Sequence, residues 1–157
     1  MNASELISKQ FGEVYFSGNW TASNLFEQLE DVSWEEATTQ VYDLNTLATL
    51  QYHIHYYVRA QLKVLKGGPL DAKDALSFDH TKIGSAEDWK NVLAQAKKEA
   101  VEFEKAIAAL KDNRLEEDFV DAKYGSYYRN LHGLIDHTYY HLGQIAILKK
   151  IIRAQLK

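Results

Sequence analysis

The chain has no cysteine, one proline and only eight glycines in 157 residues. Without cysteine there is no disulfide framework, no thiolate zinc site and no cysteine nucleophile. A single proline disfavours the many-turned β architectures, which use Pro and Gly freely. Long hydrophobic runs are missing too. The longest stretch free of Asp, Glu, Lys and Arg, Leu44–Val58, is too short and too polar to span a bilayer. Nor is there an excess of positive charge: 18 Lys and Arg stand against 22 Asp and Glu, a net charge of −4. That balance gives no electrostatic footprint for nucleic acid. Met1–Gln10 has neither the basic nor the apolar region of an export signal, so the expected location is the cytoplasm.

What is present is a globular composition, 46% hydrophobic and 25% charged, at a length suited to one domain over residues 1–157. Six histidines stand out. In a cysteine-free chain any metal must be held by His, Asp or Glu, so the placement of these histidines decides what the site can do.

Apolar spacing predicts four long helical segments and hence an all-α, four-helix bundle. Ser4–Phe16 is helix-compatible and broken at Ser17-Gly18-Asn19, with Asn19 or Thr21 as the expected cap of a continuation through Leu25, Phe26 and Leu29. Asn45–Lys66 follows, with Asn45 as N-cap and Gly67 as the stop. Gly67-Gly68-Pro69 opens a long polar connection between the second and third helices. The third begins at Ser85, where Ser85-x-x-Asp88 predicts a cap, and runs to about Leu110. The fourth runs from about Tyr127 to Ala154, ending in Lys149, Lys150, Arg153 and Lys157, cations suited to a solvated helix end.

At about 100° per residue, His137 and His141 fall about 60° and 20° from the centre of the last helix's apolar stripe. Both face the bundle, one turn apart, and i,i+4 spacing lets two imidazoles reach one ion. In the second helix His53 and His55 flank Ile54 on opposite sides, and either could complete a three-histidine set. His132 falls nearly opposite the stripe, and His80 sits in the polar loop; both are expected at the surface. Gln144 shares the side of His137, and Gly143 is expected to permit close helix approach. Asp136 points away from the site. Glu99, Glu102 and Glu104 read as the solvated face of the third helix, and Arg129 as a surface residue of the fourth.

With these residues in view the chain resembles the DinB/YfiT-like family of metal-binding four-helix bundles, from about Trp20 to the C-terminus. The resemblance rests on the histidine followed by Ile54, about fourteen residues before Gly67, and on His137-x-x-x-His141-x-Gly143-Gln144. It implies a divalent metal held by His53, His137 and His141, with His55 in reserve. The interrupted first helix and the aromatic Tyr124–Asn130 run look like features of one branch of that family. Homodimerisation is a further expectation, with Tyr139, Tyr140, Trp20 and Trp34 as candidate face residues.

Three neutral imidazoles leave a divalent ion with positions for water or substrate. Zinc and nickel both suit imidazole. No carboxylate joins the ligand spacing, so the facial triad of two histidines and a carboxylate is not indicated. The resemblance implies a small-molecule substrate, a low-molecular-weight thiol, and a metal-dependent thiol S-transferase as the sharpest reading. The competing readings are a metal-activated hydrolase, a non-catalytic metal-binding bundle, and a structural bundle without metal.

Overall fold

A computed structural model describes residues 1–155. Six α-helices and no strand are found among the described residues: α1 (Ala3–Tyr15), α2 (Leu25–Leu29), α3 (Trp34–Thr38), α4 (Leu47–Leu65), α5 (Ala86–Ala108) and α6 (Tyr127–Gln155). The four long helices form the expected bundle. Helix α1 packs on α5 and α6, and α4 packs on the same two from the other side. The core is aliphatic with an aromatic seam in which Phe11 stacks on Tyr15 (ring centroids 4.2 Å apart) and meets Phe103 edge-on at 4.9 Å.

Local chemistry fixes each helix end. Asn2 and Glu5 form a capping box at α1, while the Asp112 carboxylate accepts from the Ala3 and Ser4 amides. Thr46, not Asn45, caps α4: the helix begins at Leu47, so the hydroxyl placed to accept from the free Thr49 amide is that of Thr46, whose backbone is extended. At the other end Gly67, with φ of +85°, donates to Val64 O and Gly68 donates to Lys63 O, the Schellman arrangement that closes a helix. Ser85 caps α5 as expected.

The first-helix continuation is corrected. Asn24 caps α2, and α3 is a separate short helix with Ser33 and Glu36 in a capping box. Asn19 instead ties the loop, donating to Glu13 O and Ser23 O and accepting from Thr21. The cationic end of α6 is no solvated helix end either. Lys149 and Arg153 pair with Asp31, and Arg153 also with Glu36, latching the α2–α3 segment onto α6. Lys157 lies outside the described residues. Of the aromatic residues expected on a dimer face, Trp20 and Tyr140 are exposed, whereas Trp34 and Tyr139 pack against the core.

Gly143 does not serve close helix approach: it is exposed, and a Cβ there would meet nothing within 4 Å. Gly143→Ala therefore raises stability by about 0.5–1 kcal/mol through the unfolded-state entropy of glycine. Gly67→Ala, in the left-handed region with equally open surroundings, lowers it by roughly 1 kcal/mol through backbone strain alone. Urea unfolding of the two variants checks both signs.

Candidate metal centre

Residues two apart on a helix point about 200° away from each other, so α4 can aim only one of its paired histidines at α6. The one it aims is His53. Its Nε2 lies 3.0 Å from His137 Nε2, which lies 3.0 Å from His141 Nε2, and the three nitrogens are all within 4.8 Å of one another. His55 faces the other way and meets α5, where its Nε2 lies 2.5 Å from Glu99 Oε2.

Two of the three rings are held in a definite tautomer. The Ser77 hydroxyl donates its only hydrogen to Asp74 O at 2.7 Å, so at 3.0 Å its oxygen must accept from His53 Nδ1. His53 Nε2 therefore carries a lone pair. His141 Nδ1 donates to Gln144 Oε1 at 2.6 Å, which leaves His141 Nε2 in the same state. The third ring, His137, has a buried Nδ1 with no partner. At most one proton, on His137 Nε2, can lie among three facing nitrogens. A cation shared by all three would satisfy them together. A tetrahedral ion with bonds of about 2.0–2.1 Å sets its ligand nitrogens roughly 3.3 Å apart, close to the two 3.0 Å separations that His137 makes with His53 and His141. The residues fit a divalent metal.

Aromatic rings wall the cluster. Phe78 stacks on His53 with centroids 4.0 Å apart, and Tyr57 meets both His53 and His137 edge-on. The Tyr57 hydroxyl donates to Asp74 Oδ1 at 2.7 Å, and burial with that bond pushes its pKa up, keeping it a neutral donor. Tyr140 packs against His141 from the exposed side. A groove of about 740 Å³ runs from Tyr57 and His137 past Gln61, Tyr124, Tyr128 and Asn130.

The DinB superfamily sequence model matches residues 19–145, more than half of the chain and all three histidines. The chain belongs to the DinB superfamily. Comparisons with curated proteins and with solved structures find no match. Both the superfamily, one of metal-binding proteins, and the three-histidine cluster of this DinB chain are compatible with metal binding.

Several expected surface residues sit elsewhere. His132 is half-buried with its ring against Tyr128, and His80 anchors the loop, donating from Nδ1 to Thr81 O while its Nε2 faces the Thr49 hydroxyl. Asp136, by contrast, is at the surface as expected, where it borders the groove. Glu99 is no solvated carboxylate: its side chain is 16% exposed and takes bonds from His55, Arg59 and Gln95. Burial pushes its pKa up, but bonds from His55 and Gln95 and the Arg59 charge outweigh it and hold the group down to about 2. Ser77 and Phe78 belong to the site although no spacing rule points to them. They come from the α4–α5 connection, whose course is set by Tyr56 bonding to Lys73 and Tyr57 to Asp74.

Burial, with His141 and His53 close by, lowers the His137 pKa from 6.5 to about 4. The unfolded ring takes up a proton near 6.5 while the folded ring resists to about 4, so in chelator the protein loses stability as pH falls through that window. Below about 4 this contribution stops changing. Thermal melts of chelated protein between pH 7 and 4 check the slope, which His137→Phe reduces.

Proposed function

We propose that this DinB chain holds a zinc or nickel ion on His53, His137 and His141 and is a metal-dependent enzyme acting on a low-molecular-weight thiol. The observation that supports catalysis over a purely structural ion is the groove, which ends at His137 and is large enough for a small molecule. A closed structural site has no such approach.

In the reaction a thiol loses its proton to solvent, its sulfur forms a bond to an electrophilic carbon, and the leaving group departs with its bonding pair. When bound, the ion supplies Lewis acidity that favours the deprotonated thiol at neutral pH. The chain's own residues prepare that chemistry. Ser77 and Gln144 hold two imidazoles with their lone pairs toward the centre. Phe78 and Tyr57 exclude water from the His53 side. Tyr124, Tyr128 and Asn130 offer stacking surface and hydrogen bonds to the body of the substrate. A homodimer is part of the same reading, with Trp20 and Tyr140 as its exposed aromatic residues.

The test uses tag-free full-length protein, with metal content measured by X-ray fluorescence and conjugation of monochlorobimane followed with cysteine, glutathione and other cellular thiols. Turnover that needs zinc or nickel and falls at least 100-fold in His141→Ala supports the reading. Stoichiometric metal without turnover favours a non-catalytic metal protein, and no affinity for either metal defeats both. A separate outcome concerns the surrounding bonds: Ser77→Ala and Gln144→Leu each lower zinc affinity about 10- to 100-fold in competition with a chromophoric chelator.

A further inference from the structure

The far end of the groove, away from His137, is built by the loop between Glu117 and Tyr127. The loop is tied at its base. Phe119 N donates to Gly125 O at 2.8 Å, Tyr127 N donates to Glu117 O at 3.0 Å, and the Phe119 ring is buried. Its tip carries strain, since Val120, a β-branched residue, sits at φ of +81°. Strained backbone persists only where its surroundings hold it, and it gathers at ligand clamps.

What this loop sets into the groove is positive charge. Lys123 and Arg129 both line it. Arg129 Nη1 donates to Tyr124 O at 3.2 Å, and its stem crosses Gly125, where a Cβ would lie 2.9 Å from Arg129 Cδ. Gly125 has φ of +74°, so glycine alone gives the arginine this course. The guanidinium is held in place, yet it pairs with no carboxylate among the described residues and keeps most of its five donors free. Lys123 Nζ lies over the Tyr124 ring. Its carboxylate neighbour, Asp121, is 3.9 Å away with both side chains exposed, a pair worth little. The one carboxylate lining the groove, Asp136, stands at the opposite end, next to His137. Charge along the groove is therefore polarised, and an anion has its place at the loop end.

We propose that this end of the groove, at Arg129 and Lys123, is the subsite for a carboxylate carried by the thiol substrate. The proposal rests on the reading of His53, His137 and His141 as a metal site that receives the sulfur. Arg129 and His137 lie eight residues apart on α6, about 12 Å along the axis at 1.5 Å per residue. The preferred thiol is accordingly long, with its carboxylate remote from its sulfur. A cysteine-sized thiol reaches one end or the other but not both. The guanidinium fork takes the carboxylate through two parallel bonds, and the Lys123 ammonium adds its charge.

The test loads tag-free full-length protein with cobalt and follows the thiolate-to-cobalt absorption band. Three probes are titrated: ω-mercaptooctanoate, its neutral counterpart ω-mercaptooctanol, and the short ω-mercaptopropanoate. The long acid is expected to bind about tenfold tighter than the alcohol, an advantage that shrinks as salt is raised. Arg129→Gln, which keeps a donor for Tyr124 O, lowers affinity for the long acid about five- to tenfold and leaves the other two probes unchanged. Lys123→Gln gives the same pattern with a smaller loss. Both positions are exposed, so cobalt stoichiometry and Tm hold in both variants. Equal affinity for long acid and alcohol overturns the proposal while the metal–thiol reading stands. So does Arg129→Gln binding the long acid unchanged, or losing all three probes equally. No band with any probe defeats that reading, and the proposal with it.

Discussion

Three imidazole nitrogens gathered in a bundle, with His137 Nε2 3.0 Å from each of the other two, are an unstable arrangement unless every ring is neutral and its lone pair directed. Burial supplies the first condition, since a desolvated ring beside two others resists protonation, and His137 stays neutral well below the usual imidazole range. Direction is supplied by bonds at the far nitrogens. The Ser77 hydroxyl can serve His53 only because Asp74 O already takes its hydrogen. Gln144 serves His141 from the next turn of the same helix. The position of the α4–α5 connection therefore follows from the requirements of His53, and Tyr56 and Tyr57 hold that connection in place.

Helix α4 answers a second requirement on its opposite side. His55 is as buried as His53 but meets a carboxylate in place of two other rings. One histidine faces a cluster of acceptors and the other faces Glu99, so one helix carries two polar sites back to back. Each needs a different neighbouring element: α6 and the loop for His53, α5 for His55. That division explains why two histidines separated by one residue both persist in a bundle interior, where an unpartnered imidazole is costly.

The sequence was legible where periodicity governs. Leu134, Leu148 and Ile152 define the inner face of α6, and phase alone turned His137 and His141 toward the core. The second helix was ambiguous because one intervening residue leaves both histidines near the apolar stripe. Only the identity of the helix on each side distinguishes them, and that is tertiary information. Glu99 escapes periodicity for the same reason: its partner is 44 residues away, and its helix also carries exposed carboxylates. Ser77 was out of reach because loops have no period. Asn19 and Asn24 show the limit of capping rules. Both suit an N-cap, but the course of the loop decides which side chain meets the free amides and which ties the turn.

The three histidines are not equivalent, and the difference points along the groove. His53 is stacked under Phe78 and bonded to Ser77; His141 is bonded to Gln144 and covered by Tyr140. His137 has no partner at Nδ1, and among the three it alone lines the groove. The two fully tethered rings thus form the back of the centre and the least tethered ring forms its front. A molecule entering the groove meets His137 and Tyr57 first. Rigidity is concentrated where orientation must be kept, and freedom remains on the side from which a substrate would arrive.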